Sequence, residues 1–580
     1  MNQIDNIISK ELLAAQVLEA INFNNIFAAV ERYNELFRYT GSPDGEAAVD
    51  YIMDKMTEYN IPAKRIRYDA YLSLPLSAHV DLVSPGNKRY KVIANVYSGN
   101  ADGLQGELYY DYMSAQKGLS QKQNVQRFAE FKDKIVITRD AEGDYAKAAY
   151  DAGAIGVIHI WPSGEPLHHH GTVGTVWGTP VPSDLHKFPY IPFVEMTKGD
   201  GEELLALLEK GKVTVAVTTK MENGIKRTSM PVATIKGAGE KYVLISAHYD
   251  SWYEGITDNA VSDAILIELA RIFNEKKNEL KRSVVIAWWS GHSDGRYAGS
   301  TWFCDNNWEE LTQNCVAHIN IDLAGCKNAD QIRARTTLME GKAFTDNVIK
   351  EFTGNEPKPY IPMIRGADQS FWGNRIPISI MLKYEPLPEN CDFQCPSGGA
   401  WWHTDADTID KLDVDILKRD ARINAKMACL ILNAEQLPVD IAGYINEMER
   451  FLTEIDSKLN EDFDLTPVFS RIEKLKEAAG KLAEASRTVQ DNDDIIKKVA
   501  GELTRLTYSY SSPYYQDSAV ASQPFQLLCK AAGLTRENSY ADYYLFTRNE
   551  FVRQRNRLVG QIDRLIDDID YQMLKWQCGK

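Results

Sequence analysis

Apolar and polar residues follow three different patterns along the chain. From Asn22 to about Tyr68 apolar residues recur at intervals of three and four, as in EAAVDYIMDKMTEY, which predicts helices. From about residue 98 to 222 short strands and turns prevail, as in GELYYDY and DKIVITRD. After about residue 436 the pattern is helical and charged. We therefore predict a compact insert at 98–222 and a helical C-terminal domain at 436–580.

The central part of the chain alternates strands with helices. KYVLISAHYD and SVVIAWWSGHSDG are apolar runs that end in polar residues, and AVSDAILIELARIF between them carries an apolar stripe. CVAHINIDLAG then adds another strand that ends on a carboxylate. This order predicts an α/β fold with a mixed sheet and a site at the carboxyl edge. We expect a catalytic domain formed by residues 1–97 and 223–435, with its site near residues 248–322.

Length, charge and cysteine usage narrow the possible classes of protein. A chain of 580 residues exceeds one hydrophobic core. The net charge of -16 argues against nucleic acid or an anionic membrane as a partner. The N-terminus lacks the pattern of a signal peptide, and no run of about 18 apolar residues occurs. The eight cysteines lack zinc-ribbon spacing, and we interpret even the closest pair, Cys391 and Cys395, as incidental loop residues. This pattern predicts reduced thiols and a cytoplasmic location.

Residues suited to metal binding follow the predicted strands. His248 and Asp250 form an H-x-D motif, Asp258 precedes a helix, Asp322 closes a strand, and His403 lies in WWHTDADTID. Zinc-like ions accept both nitrogen and oxygen ligands, and a bridging carboxylate reduces the repulsion between two such ions. Metal-bound hydroxide can form near neutral pH. The pattern therefore predicts a hydrolytic metal site, with two zinc ions expected and one as the alternative.

Four sequence blocks resemble those of the zinc aminopeptidases and glutamate carboxypeptidases, in the same order. They are VLISAHYDSWYEGITDNAVSDAILIELARIF, INIDLAG, RGADQSFWGNRIP and WWHTDADTID. The resemblance implies that His248, Asp258 and Asp322 hold one metal ion. It also implies that Asp258 bridges to a second ion bound by His403, and that Asp250 orients His248.

The insert and the helical domain extend this resemblance. DKIVITRD, AAYDAGAIGVIHI and IPFVEMTKGDGEELLALL are similar to the protease-associated domain of the same family. The complete layout resembles the ectodomains of glutamate carboxypeptidase and the transferrin receptor. It implies a homodimer formed through the helical domain.

The segment after the second strand departs from the family pattern. Family members carry Glu-Glu there, one as general base and one as metal ligand, whereas this chain has WWSGHSDGRYAGS. Alignment from the left places His292 at the base position and Ser293 at the ligand position. Alignment backward from the following Gly-Ser pair gives Ser293 and Asp294 instead. Either His292 or Asp294 could bind the second metal or act as base, because both side chains accept protons.

Other residues are candidates for substrate contact. Trp402 replaces a tyrosine that precedes the last histidine in carboxypeptidase-like members, and its indole N–H donates from a different place. Arg365 and Arg296 could each pair with a substrate carboxylate, or with a surface acid of the chain itself. His169, in a run of three histidines, could touch substrate if the insert overhangs the sheet edge; the alternative is a solvated loop.

These features together predict a metal-dependent hydrolase. Its substrate would be the amide bond of a peptide or a small acylated amino acid. The missing Glu-Glu pair leaves two alternatives open. One is a metal enzyme with another reaction, such as a lyase or a non-peptide amide hydrolase. The other is a catalytically inactive binding protein of the same fold.

Overall fold

The computed structural model describes residues 3–140, 143–387, 399–486, 489, 492–520 and 523–578. Cys391 and Cys395 therefore lie outside the described residues. The other six cysteines are free thiols, and four of them are buried. No single helix of the described chain has the length and apolar character to cross a membrane, although one bent pair, Glu11–Glu19 with Phe23–Tyr33, passes on length and composition.

The described residues form sixteen α-helices, of which the last five belong to the C-terminal part of the chain. In chain order they are α1 (Gln3–Glu19), α2 (Phe23–Tyr33), α3 (Pro43–Glu58), α4 (Gln121–Ala129), α5 (Tyr145–Asp151), α6 (Lys198–Leu208), α7 (Val261–Glu275), α8 (Ala298–Asn306), α9 (Trp308–Asn314), α10 (Lys342–Thr353), α11 (Val414–Leu432), α12 (Ile441–Asp456), α13 (Thr466–Ser486), α14 (Asp493–Tyr508), α15 (Gln526–Cys529) and α16 (Ala541–Gln577).

The described residues also form fourteen β-strands, two of them unusually long. In chain order they are β1 (Ala63–Ser84), β2 (Lys88–Lys91), β3 (Ile93–Ala94), β4 (Ala101–Tyr110), β5 (Lys134–Thr138), β6 (Gly156–Ile160), β7 (Phe193–Met196), β8 (Thr214–Ile235), β9 (Tyr242–His248), β10 (Ser283–Trp289), β11 (Cys315–Asn320), β12 (Gln331–Thr336), β13 (Lys358–Pro362) and β14 (Ile378–Glu385).

All these strands belong to one mixed sheet. Its main path runs β13-β12-β14-β11-β9-β10-β8-β4-β5-β6-β7-β3, with β1 paired to β2 and β8. The strands β10, β9, β11 and β14 are parallel neighbours, and their residues are nearly all buried because helices cover the sheet. The predicted α/β fold with a mixed sheet and a helical C-terminal part is confirmed.

The helical stretch expected up to about Tyr68 ends earlier than predicted. Helix α3 starts with Ser42 as N-cap and Pro43 in the first turn, a combination typical of helix starts. It ends at Glu58, and β1 begins at Ala63. The difference follows from the sequence between them, because RIRYDAYL alternates polar and apolar residues with the period of a strand.

The two long strands connect the central sheet with the inserted unit. Strands β1 and β8 pair in antiparallel fashion from Ala63↔Ala233 to Ser84↔Thr214, so β8 crosses the predicted boundary at residue 222. A separate apolar cluster around Val80, Ile158 and Val215 forms the core of the insert. The four predicted domain ranges stay a prediction, as does the homodimer.

A buried carboxyl group near the helical domain gives a pH-dependent prediction. Burial raises the pKa of Glu340 to about 7, although a hydrogen bond from Thr336 lowers it. Between pH 4.5 and 7 the unfolded chain releases this proton while the folded chain keeps it, so wild-type stability falls by about 3 kcal/mol in total. We expect Glu340→Gln to gain in thermal midpoint relative to the wild type between pH 5 and 8. A difference that does not change with pH would contradict this.

Candidate metal centre

The candidate ligands lie at the carboxyl edge of the parallel strands. His248 is the last residue of β9, where it pairs with Trp289 of β10. On the other side, Ser246 of β9 pairs with Asn320 of β11, and Asp322 follows two residues later. Because parallel strands bring their carboxyl ends to one edge, His248 and Asp322 lie beside each other. Asp258 reaches the same edge from the turn before α7.

These side chains form a compact and largely buried cluster. His248 Nε2 lies 3.1 Å from Asp258 Oδ1 and 3.5 Å from Asp322 Oδ1. The second carboxylate oxygen of Asp258 lies 3.1 Å from His403 Nε2, so this residue stands between the two imidazoles. His248, Asp258 and Asp322 are each less than a tenth exposed. The geometry therefore brings all four residues together.

Hydrogen bonds from Nδ1 to main-chain carbonyls orient both imidazoles so that Nε2 points toward the carboxylates. His248 Nδ1 donates to the carbonyl of Asp250 at 2.9 Å, and His403 Nδ1 donates to the carbonyl of His170 at the same distance. Each neutral ring then presents the lone pair of Nε2 to carboxylate oxygens. Two buried atoms, His248 Nε2 and Asp322 Oδ1, have no hydrogen-bond partner among the described residues. Acceptors facing one another in this way require a positive charge between them.

The pKa values of His248 and Asp258 also indicate that a positive charge is favoured in the cluster. Burial lowers the pKa of His248, but Asp258 and Asp322 outweigh it and hold this pKa well above the ordinary value. Burial raises the pKa of Asp258, but His248 and His403 outweigh it and hold this pKa well below its usual range. A metal ion would supply that charge without protonating His248. The nitrogen and oxygen donors are those that zinc uses, so the residues fit this ion.

The structure places the two candidates for the missing glutamates differently. The ring of His292 stacks on that of His248, with centroids 3.7 Å apart. One ring nitrogen of each histidine and one oxygen of Asp322 all lie within 4.8 Å of one another. Asp294 instead accepts a hydrogen bond of 3.0 Å from Trp252 Nε1, and burial raises its pKa to about 7. His292 is thus at the cluster, whereas Asp294 faces Trp252.

Asp250 acts on its surroundings mainly through its carboxylate. This group accepts hydrogen bonds from Thr40 Oγ1 at 2.9 Å and from the backbone N–H groups of His292 and Ser293 at 3.1 and 3.3 Å. The contact that orients His248 comes from the main-chain carbonyl of Asp250. The carboxylate therefore fixes the turn that carries His292.

Comparison with known proteins identifies the part of the chain that holds this cluster. The model of peptidase family M28 matches residues 232–428, which include all four clustered residues and His292. Residues 232–428 form a peptidase family M28 domain. This confirms the resemblance to the zinc aminopeptidases and glutamate carboxypeptidases, a family of metallopeptidase-type hydrolases.

Related sequences are distant from this chain. It is 25% identical over 347 residues to aminopeptidase NAALADL1 of Rattus norvegicus, covering 52% of this chain and 45% of the relative. It is 24% identical over 469 residues to leucine aminopeptidase 2 of Trichophyton equinum, covering 75% and 86%. The chain thus spans about half the length of NAALADL1 but most of the second relative.

Solved structures of an aminopeptidase and of an M28 peptidase precursor share the fold. The aminopeptidase from Aneurinibacillus sp. strain AM-1 superposes with a TM-score of 0.55 at 21% identity, covering 72% of this chain and 95% of that one. The peptidase M28 precursor from Shewanella amazonensis SB2B gives a TM-score of 0.58 at 17% identity, with coverages of 74% and 98%. At such identities the likeness concerns the fold alone.

Two acidic residues of the M28 domain support the cluster and were not singled out from the sequence. The fully buried Asp368 accepts a hydrogen bond from Ser300 Oγ and lies 2.7 Å from His292 Nδ1. Asp407 accepts from the backbone N–H groups of Thr257 and Asp258, each at 3.0 Å. The sequence does carry a signal for both, since they lie in the family-like blocks RGADQS and WWHTDADTID.

The insert fastens the loop that carries His403. The backbone N–H of His170 donates to the carbonyl of His403 at 2.9 Å. His169 Nδ1 lies 2.6 Å from the carbonyl of Trp402, and its ring stacks on Trp161 at 3.9 Å. His169 is only 1% exposed, so its side chain supports this loop from the interior. The ring of Trp402 stacks directly on His403, with centroids 3.4 Å apart.

The two arginines considered for substrate contact link the M28 domain to the C-terminal part. Arg365 is buried, stacks over Trp177 at 4.2 Å and donates to Gln516. Arg296 donates to the carbonyl of Ala519 at 2.7 Å. Both thus contact the segment between α14 and α15. Their contact with substrate stays a prediction, as do the catalytic and metal-binding roles of the other site residues.

Proposed function

We propose that this chain is a zinc-dependent hydrolase that cleaves the amide bond of a peptide or a small acylated amino acid. The observation that carries the proposal is the buried cluster in which His248 Nε2 faces Asp258 and Asp322 at 3.1 and 3.5 Å. It lies within an M28 domain, and relatives of the chain are named aminopeptidases.

The number of metal ions follows from the donors at each position. His248, Asp258 and Asp322 offer three protein ligands at the first position, the usual number for a catalytic zinc ion. A second ion would have Asp258 Oδ2 and His403 Nε2 as ligands, two atoms that lie 3.1 Å apart. We infer that the first position binds zinc tightly and that any second ion binds more weakly.

His292 is the proposed general base in place of the family glutamate. Its Nδ1 lies 2.7 Å from the Asp368 carboxylate, which favours the tautomer with the proton on Nδ1. Nε2 then keeps its lone pair and can accept a proton from water. Zinc bound beside it would lower the pKa of that water and polarise the substrate carbonyl. The Asp250 carboxylate holds the His292 backbone in place throughout.

A panel of substrates with and without zinc tests this proposal. We expect the zinc-loaded protein to cleave peptides or N-acylated amino acids, chelation to abolish the activity, and added zinc to restore it. The panel should include non-peptide amides, because a histidine in place of glutamate changes the charge and pKa of the base. Hydrolysis that survives complete removal of metal would contradict the proposal. Cleavage of the non-peptide amides alone would favour the alternative reaction.

A further inference from the structure

A cavity of about 490 Å³ lies between the M28 sheet and the helical C-terminal part. Strand β12 contributes Arg335, and helix α12 contributes the buried residues Phe451 and Ile455. Pro362 and Pro524 also line the cavity. The lining thus combines apolar residues with two cations, Arg335 from the sheet and Lys458 just after α12. Clefts between domains that combine these properties are common ligand sites.

Among the described residues, Arg335 has no ion pair although its guanidinium is largely buried, and Lys458 is the other cavity cation without one. The Nε atom of Arg335 is buried without a hydrogen-bond acceptor, and the described parts of the chain provide no ion pair for its guanidinium. Arg333, two residues earlier on the same strand face, pairs with Glu385 at 3.3 Å. Glu454 at the cavity is paired with Arg450. A largely buried cation is normally compensated, so Arg335 is free to accept an anion.

The sheet register places Arg335 close to the metal centre. Arg335 pairs with Met381 of β14, and Met381 pairs with Asn320 of β11, two residues before Asp322. Two strand spacings separate Arg335 from Asn320, which is about 10 Å. Burial lowers the pKa of Arg335, while the Asp322 carboxylate acts in the opposite direction, so the two charges influence each other.

We propose that Arg335 binds a free carboxylate of the substrate and that the cavity holds the apolar side chain beside that carboxylate. The inference rests on the proposed function, since it places the scissile amide at the metal centre. A guanidinium binds a carboxylate through two parallel hydrogen bonds, which gives both affinity and orientation. The substrate class is therefore a peptide or acylated amino acid that ends in an apolar residue with a free carboxyl group.

Calorimetric titration of the zinc-loaded full chain with N-acetyl-L-phenylalanine and with its amide tests this site. We expect the wild type to bind the acid at least about tenfold more tightly than the amide, because only the acid forms the charged pair. Arg335→Gln should bind the two ligands equally. Arg333→Gln is the matched control and should retain the wild-type preference. Arg335→Lys keeps the positive charge but cannot form two parallel hydrogen bonds, and should show a reduced preference for the acid over the amide.

Two results would overturn the inference. One is a preference for the acid that persists in Arg335→Gln with an unchanged thermal midpoint. The other is a preference that disappears in His248→Ala but not in Arg335→Gln, because the carboxylate would then bind the metal. Loss of preference in Arg335→Gln alone, in a protein that cleaves no amide, would support the anion site while removing only the proposed hydrolase activity.

Discussion

Replacement of His248 by alanine is expected to abolish tight zinc binding and to lower amide hydrolysis by more than about a hundredfold. Loss of a residue that merely supports a ligand costs about 10- to 100-fold, so loss of a ligand should exceed this. His248 Nε2 is the atom that faces both Asp258 and Asp322, and without it the first position keeps two carboxylates. Elemental analysis and turnover of the same sample provide the measurement.

His318→Gln is the matched control for this change. His318 is also a buried histidine at the sheet, on β11, but its Nε2 lies 2.8 Å from Ser246 Oγ and it is not part of the cluster. The control should keep its zinc and most of its activity. If His248→Ala retained a full complement of zinc, the ligand set described above would be wrong.

His292→Ala is expected to lower kcat by about 10²- to 10⁴-fold, the usual contribution of a general base, while zinc binding is largely kept. Alanine removes the Nε2 acceptor but leaves His248, Asp258 and Asp322 in place. Asp368→Asn should have a smaller effect of about 10- to 100-fold, because the imidazole remains but loses the carboxylate that orients it. Steady-state kinetics and zinc content of both variants provide the measurement.

The zinc content of His292→Ala separates the two roles left open by the sequence. Retention of zinc with a low kcat supports a base. Loss of zinc in parallel with activity would instead make His292 a ligand. Restoration of activity by His292→Glu would show that the position has kept the function of the family glutamate.

Much of the metal cluster was predictable because local patterns determine it. The apolar runs before His248 and Asp322 predict strands, and parallel strands bring their carboxyl ends together whatever the intervening sequence. The same reasoning could not choose between His292 and Asp294. Their directions depend on the conformation of the SGHSDGRY turn, in which Gly291, Arg296 and Tyr297 all adopt positive φ values. Asp294 is drawn away by Trp252, a residue remote in sequence.

Contacts between residues far apart in the sequence also limited what could be predicted. The hydrogen bond from the backbone N–H of His170 to the carbonyl of His403 joins the insert to the M28 domain, and no local sequence pattern predicts it. Polar histidines next to glycines indicate a solvated loop, yet here they are covered by packing against the His403 loop. Arg335 could not be singled out from the sequence for a related reason. The pattern of β12 shows that the position is polar, but it does not show that the side chain lacks a hydrogen-bond partner at Nε.

Anomalous diffraction at the zinc edge, from crystals of protein purified without a metal-binding tag, tests the central claim most directly. We predict a strong peak among His248 Nε2, Asp258 Oδ1 and Asp322 Oδ1, with weaker or no density between Asp258 Oδ2 and His403. A map with no peak at His248, after the crystals have been soaked in zinc, would contradict the assignment of this cluster as a metal centre.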